Sequence, residues 1–466
     1  MRVFILTCCF IARAGLAQNS SLTPAALEHY QNGVVHWMSG QSDSARFALE
    51  AALRLAPNYY EPHVALGNLF LHEGQYERAR KNYSRAQSLR PEAAAPHLGL
   101  GHVLWEAEAN YPGALVEYRA ALNLENGNAE ANYFVGQALL YSDHLDEAMS
   151  YFEQAIQRDP SYAKSHEKLA LIHMLRGDNA RAAQHWRELK RKGGMSQALV
   201  EFSQNLILTV AENGIIFTNS EADTHPLWYL QLGEGLRRDV CVVNAGLLNF
   251  TWYVRMLRAH AGLDVRYKDE ELQERLQERL WPKPKPETIA GLRWILPPAP
   301  GQKSLRAQDV VTLDVLAWNA WQRPVYFAVT VAPENKLGLE DFLSLEGLAF
   351  RLHTKKTAPV QIDSTWTNAR KRYSYTHSAA PSDAATRHLT ANYATMFCLL
   401  ADAYLQRRDR EQCHATLALA DSLGLLQDAR ANEWAARLAG SIASDELAAR
   451  FKRKAEALKR KQAPIF

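Results

Sequence analysis

Cysteine is scarce in this chain and shows no pattern. Five are present, Cys8, Cys9, Cys241, Cys398 and Cys413. Their spacing matches neither a disulfide framework nor a metal-ligand set. No metal and no cofactor is expected. An excess of one charge is also missing. Lysine and arginine number 53 against 50 aspartates and glutamates, a net charge of +3. So even a balance gives no case for a nucleic-acid partner. Hydrophobic residues make up 47% of the chain, which excludes a disordered protein and leaves ample material for packed cores. Long apolar runs are lacking too. Nothing reaches the ~20 residues that a helical membrane span needs. The 466 residues should form two or three domains.

The start of the chain is read as a secretory signal over residues 1–17. One positive charge precedes an apolar run from Val3 to Ala12, and small residues end at Ala17, although Arg13 interrupts the pattern. The expectation is an exported protein, periplasmic or extracellular. Cleavage would remove Cys8 and Cys9.

Internal repetition follows. Gly33, Gly67, Gly101 and Gly136 recur at spacings of 34, 34 and 35 residues. Each opens a similar pattern. After Gly33 come Ala45, Leu49, Ala52 and Pro57, and after Gly67 come Ala79, Tyr83, Ala86 and Pro91. Ala114, Tyr118 and Ala121 follow Gly101, and Ala148, Phe152, Ala155 and Pro160 follow Gly136. A fifth unit holds Ala170, Gly177, Ala182 and Trp186. This pattern resembles the tetratricopeptide repeat. Glycine and alanine let two helices cross closely, the large residue packs into the neighbouring pair, and proline stops the second helix. Five such pairs over residues 25–192 predict a right-handed superhelix with a concave groove for a protein or peptide partner. The competing reading is a spacer. His36, His63, His72, His102, His144, His166 and His173 look scattered and are read as helix-surface or groove residues rather than ligands.

The pattern then changes. Met195 to Val210 is amphipathic. Ile215-Ile216-Phe217 and Val240 to Val243 are short apolar runs, as in strands buried on both faces. Between them Asp223 or Thr224 is placed to cap a helix, with Pro226 in its first turn and Gly233 and Gly235 at its end. A second helix should start near Thr251. A strand–helix–strand order implies a small parallel sheet, with ligands at the carboxyl ends of its strands. Asp309 to Ala320 reads as a helix, Val325 to Val331 as a third strand, and Leu339 to Leu345 as a short helix. A charged helix is expected near Asp269 to Leu280, with an extended Pro/Lys run after it. The fold class is therefore mainly α: a repeat superhelix, a small α/β domain over residues 195–360, and repeat-like helices over 384–462, whose basic end reads as a solvated cap.

Specific residues carry a further resemblance. Asp223, Thr224, Pro226, Leu227, Trp228, Tyr229, Gln231, Arg238, Asp239 and Val240 form one motif, and Leu247, Leu248, Asn249, Trp252 and Tyr253 a second. Asn319, Trp321, Arg323, Pro324, Tyr326 and Phe327 form a third, and Glu346, Gly347, Leu348, Arg351 and Leu352 a fourth. From Met195 to Leu423 the chain resembles the soluble C-terminal region of the family carrying domain of unknown function 2723, which comprises membrane glycosyltransferases of the protein O-mannosyltransferase type. Ser220, Glu221, Ala222 and His225 depart from the family pattern. The family's catalytic acid lies in its membrane half, which this sequence lacks. The resemblance implies a non-catalytic relative of the soluble region, an accessory to envelope glycosylation.

The candidate ligand-binding residues are Glu221, Asp223, Thr224, His225, Trp228, Tyr229, Asn249, Trp252 and Arg323, with a glycan or glycosylated chain as ligand. No catalytic residue is assigned. The alternative is a glycan-active enzyme using Glu221 and Asp223, since paired carboxylates suit glycoside hydrolysis. Arg323 is expected to pair with Glu346 or Asp223.

Overall fold

The structure is a computed structural model that describes residues 22–263, 265–266, 270–271, 279–280, 283–298, 304–378 and 383–462. The signal segment 1–17 and most of the expected charged helix lie outside the described residues. The chain divides into two compact units, one up to Lys168 and one from Leu169 onward. The division falls inside the fifth helix pair of the expected array.

The first unit is built of antiparallel helix pairs: α1 Pro24–Met38 and α2 Ser42–Leu55, α3 Tyr60–His72 and α4 Tyr76–Leu89, α5 Ala94–Glu108 and α6 Tyr111–Leu124, α7 Ala129–Tyr141 and α8 Leu145–Arg158. The repeat glycines explain the close crossing. A Cβ on Gly33 would lie 2.7 Å from Leu49, on Gly67 2.5 Å from Tyr83, on Gly101 2.4 Å from Tyr118, and on Gly136 3.0 Å from Phe152. Each glycine thus receives the large residue of its own second helix, and Leu49, Tyr83, Tyr118 and Phe152 are buried. The alanines at the other repeat positions, such as Ala45, Ala79, Ala114 and Ala148, are buried as well. The repeat superhelix is as expected.

The histidines need correcting. His29, His63, His97 and His166 share one position of the repeat, with Asn132 standing there in the fourth unit. His63 Nδ1 lies 3.3 Å from Asn82 Oδ1, and His97 Nδ1 lies 2.7 Å from Glu117 Oε2. They join the two helices of a pair. His102, His166 and His173 are buried, so they are not surface residues.

The second unit begins within α9 Ala163–Leu175 and continues through α10 Asn179–Arg191 and α11 Gln197–Thr209. Strands β1 Ile215–Thr218 and β2 Cys241–Asn244 are joined through α12 Glu221–Trp228, and α13 Thr251–His260 follows. Strands β3 Arg279–Leu280 and β6 Ser304–Leu305 pair with each other, as do β4 Lys285–Ile289 and β5 Leu292–Leu296. Helix α14 Ala307–Asn319 leads to β7 Val325–Ala328, then β8 Leu343–Leu345 and β9 Ala349–Leu352. The main sheet has the order β2-β1-β7-β9-β8. Its parallel core pairs Ile215 with Cys241 on one side and with Val325 on the other. All three core strands are buried along their length.

Two expectations fail here. Leu339 to Leu345 is a single 3₁₀ turn, Glu340–Phe342, followed by strand β8. β8 pairs antiparallel with β9, and a bridge from Leu345 to Val360 covers its outer side. With both faces buried it shows no alternation, the pattern that separates strand from helix. The cap of α12 is Ser220, not Asp223 or Thr224. Ser220 and Asp223 form a reciprocal capping box, so the helix starts at Glu221 and Pro226 falls inside it. A wider π-helical turn, Tyr229–Gly233, follows the proline.

Helix α15 Ile362–Thr367 leads to two C-terminal hairpins, α16 Ala384–Gln406 with α17 Arg410–Ser422, and α18 Ala429–Ser441 with α19 Asp445–Gln462. Part of the basic end is structural. Asp421 of α17 accepts from Arg450 at 2.7 Å and from Lys454, both on α19. Helix α11 is buried beside α16: Asn205 Nδ2 donates to Tyr393 at 2.7 Å, and Phe202 packs edge-on against that ring.

Candidate functional site

In the first unit the first helices of the pairs line the inner face that repeats of this kind use for binding. Their side chains are aromatic and acidic. Trp105 and Tyr141 of first helices form a half-buried cluster with Tyr111, which opens the second helix α6; the ring centroids lie 4.6, 4.9 and 5.8 Å apart. Glu61 is buried and paired with Arg90 at 2.9 Å, and the Arg90 guanidinium lies over the Tyr60 ring. Burial pushes the carboxyl pKa values of Glu106 and Glu130 up. His102 accepts or donates a 2.9 Å bond with the Tyr118 hydroxyl, and burial holds its pKa down to about 3, so the ring is neutral. Apolar side chains also face outward here. Among the described residues every exposed large hydrophobic except Ile295 lies in the array: Val35, Met38, Phe47, Leu55, Val116 and Leu124.

In the second unit the carboxyl ends of β1, β2 and β7 meet in a closed polar network. Asp223 is fully buried. Its Oδ1 accepts from Ser220 N at 2.7 Å and Ser220 Oγ at 3.2 Å; its Oδ2 accepts from Asn219 N at 2.9 Å and from the Thr330 hydroxyl. Thr224 donates to Ser220 O at 2.5 Å and accepts from Asn244 Nδ2 at 2.9 Å. Asn249 accepts from Gln308 N at 3.1 Å, which ties this edge to α14. Arg306 reaches Asn335, whose amide donates to Asn219 Oδ1 at 3.2 Å. Side chains of the domain itself thus occupy this edge.

The aromatic candidates belong to the core. His225 stacks on Trp228 at 5.4 Å and lies 5.3 Å from Trp186. Trp252 stacks on Phe250 at 5.5 Å. Trp228, Tyr229 and Trp252 are 3%, 7% and 3% exposed, and none of them opens onto the carboxyl-end edge as a free ring. Glu221 is half-buried at the start of α12. Arg323 pairs with neither expected acid. Its Nε donates to Asn213 O at 2.6 Å, and Gly214 O lies 3.4 Å from its Nη2. Glu346 instead accepts from Tyr326 at 3.1 Å and pairs with Arg351 at 3.6 Å.

A cavity of about 260 Å³ lies at the opposite, amino end of the strands. Two of the nine candidates, Trp228 and Arg323, line it. Sequence reasoning missed the rest of the wall: Arg238, Gln231, Cys241, Met256 and His260 among them, with Met174 and Asn179 from α9 and α10. Arg238 and Asp239 stood in a recognised motif, which is the signal that was there. Nothing in the sequence brings Met174 to β2. The turn between α9 and α10 comes close because Gly177, at φ +72°, has no side chain; a Cβ there would lie 2.7 Å from the His260 ring.

Comparison with known proteins covers both units. Residues 199–279 and 277–371 match the family model TMEM260-associated domain 2. Residues 67–107 match a TPR repeat model and 135–194 a tetratricopeptide repeat model. The array is therefore one of tetratricopeptide repeats, a scaffold fold for protein interaction. The TPR repeat-containing thioredoxin TTL4 of Arabidopsis thaliana is 33% identical over 78 residues, 17% of this chain and 11% of that protein. Among solved structures, MamA of Desulfovibrio magneticus RS-1 is 22% identical, over 38% of this chain and 99% of that one, with a TM-score of 0.33. PilW, a type IV pilus biogenesis factor, is 15% identical, over 55% of this chain and 100% of that one, with a TM-score of 0.37.

Proposed function

We propose that this protein is a binding scaffold that holds a protein or peptide partner along its repeat array. The observation that carries the reading is the exposed apolar and half-buried aromatic surface of the array, Val35, Met38, Phe47 and the Trp105 cluster, beside a core whose own rings are buried. Exposed apolar side chains along a repeat array offer contact points to another protein. The groove's acids, Glu61, Glu106 and Glu130, favour a partner segment that brings positive charge.

The finer reading is that the protein is exported and serves envelope glycosylation, with a glycosylated chain as one of its partners. It rests on the signal-like residues 1–17 and on the resemblance of Met195–Leu423 to the soluble region of the glycosyltransferase family. The enzyme reading has less support, because four hydrogen bonds occupy the Asp223 carboxylate.

The test is co-purification of the tagged full chain from its native envelope with mass spectrometry, in parallel with a Trp105→Ala/Tyr141→Ala variant. A partner recovered with the wild type and lost with the variant supports the groove. A partner retained equally by both overturns it. Recovery of a multi-pass glycosyltransferase would support the finer reading, and recovery from the cytoplasmic fraction alone would overturn export.

A further inference from the structure

The amino-end cavity has an electrostatic character that the carboxyl-end network lacks. Two guanidinium groups line it, Arg238 and Arg323. Arg238 Nε donates to Gln231 O at 2.9 Å, and Arg323 donates to backbone carbonyls. Neither has a carboxylate partner among the described residues. The one carboxylate in the wall, Asp239, is already taken. Arg237 Nε and Nη2 reach it at 2.9 and 2.8 Å, and Asn213 N donates at 3.0 Å. The wall is therefore left with a surplus of positive charge.

The rest of the wall is mixed: Asn179, Gln231 and His260 are polar, and an apolar patch lies among them. Trp228, Val242, Met256 and Leu257 line it and are all buried, and Met174 closes it from α9. A cavity of about 260 Å³ is smaller than the roughly 300–1,000 Å³ of pockets for drug-sized ligands. It suits a body of a single ring. Guanidinium groups in such surroundings bind oxyanions through paired, charge-assisted hydrogen bonds.

We propose that this cavity is a binding site for a small amphipathic oxyanion, a phosphomonoester or carboxylate on a compact apolar body. The oxyanion meets Arg238 and Arg323, and the body lies against Trp228, Met256 and Leu257.

Calorimetric titration of the full chain tests this with phenyl phosphate, benzoate, inorganic phosphate and benzyl alcohol. The expected result is binding of phenyl phosphate, benzoate or both, about tenfold tighter than inorganic phosphate because the ring buries apolar surface. Phenyl phosphate alone would assign a phosphoryl ligand, benzoate alone a carboxylate. Arg238→Gln should weaken binding about tenfold or more. Ala261→Trp, at the end of α13 in the cavity wall, should abolish it by filling the space. Arg238 and Ala261 both reach solvent, so circular dichroism should show these variants folded. Four results would overturn the proposal: no binding of either aromatic anion, equal affinity in both variants and the wild type, inorganic phosphate binding as tightly as phenyl phosphate, or benzyl alcohol doing so.

Discussion

The ring of Tyr83 lies across Gly67 so closely that a Cβ added to that glycine would sit 2.5 Å from the ring edge. On its other side the ring faces Gly99, where an added Cβ would lie 2.3 Å away. Tyr83 is thus held between two helices of successive pairs, and its hydroxyl donates to Asn68 Oδ1 at 2.7 Å. The ring cannot retreat. Gly67→Ala gains about 1 kcal/mol of helix propensity but overpacks a buried contact. The expected outcome is a net loss of about 1–3 kcal/mol in urea unfolding, with Gly99→Ala similar. An unchanged midpoint for both would mean that the pairs do not interlock as described.

Asp223 supports a second prediction. A carboxylate accepts from all four of its donors, whereas an amide has one acceptor oxygen. In Asp223→Asn the new NH₂ would face either the Ser220 N–H and hydroxyl or the Asn219 N–H and the Thr330 hydroxyl. The change should cost about 1–3 kcal/mol, and Asp223→Ala more. Chemical unfolding of both variants checks this. Wild-type stability in Asp223→Asn would show that the network is not closed.

Much of this arrangement was legible beforehand, for physical reasons that differ by region. The array could be read because a small residue facing a large one recurs from unit to unit, Gly33 with Leu49 and then glycine with an aromatic ring in the next three, so each repeat tests the next. Strands β1, β2 and β7 could be read because strands covered on both faces are short apolar runs. Strand β8 could not be, since full burial of Leu343 to Leu345 erases its alternation. The β4–β5 hairpin was missed although its signal existed. Leu292, Trp294 and Leu296 point inward and Arg293 and Ile295 outward. Its turn is Ala290-Gly291, both at positive φ, which suits a tight hairpin. The motif residues were found, but their roles were not. Trp228 and Arg323 come together only through the packing of α9, α10 and α13 around the amino end of β2, and no local pattern encodes that.

A pH prediction follows from Asp239. Hydrogen bonds from Arg237 hold its pKa down to about 2 against an ordinary 3.8. A carboxyl depressed on folding stabilises the folded state above its unfolded pKa. That contribution is lost as pH falls from about 4 through about 2. Because the pair is partly exposed, screening limits it to about 1 kcal/mol. Asp239→Asn should therefore lower stability at pH 7 by about that amount and flatten the acid limb between pH 4 and 2. Parallel acid limbs in the two proteins would show that Arg237 and Asp239 do not interact in solution.

The thiols give the last prediction. Cys241, Cys398 and Cys413 are free and buried. Burial pushes their pKa values up to about 11, about 12 and about 11. The thiolate is the reactive form, and at pH 8 a thiol with a pKa near 11 is only about 0.1% ionised. All three should resist iodoacetamide in the folded protein and react together in guanidinium, with peptide mass spectrometry resolving each site. They should still differ in rate. Cys241 lines the cavity, and the nearby Arg323 charge favours its thiolate, whereas Cys398 is packed between helices with its Sγ 3.9 Å from Ala431 O. A small reagent should therefore modify Cys241 first, and excess phenyl phosphate should slow that site alone. If Cys398 reacted first, entry to the α/β domain would not run through the cavity, because a reagent able to reach a helix-packed thiol must be admitted by unfolding of the C-terminal hairpins.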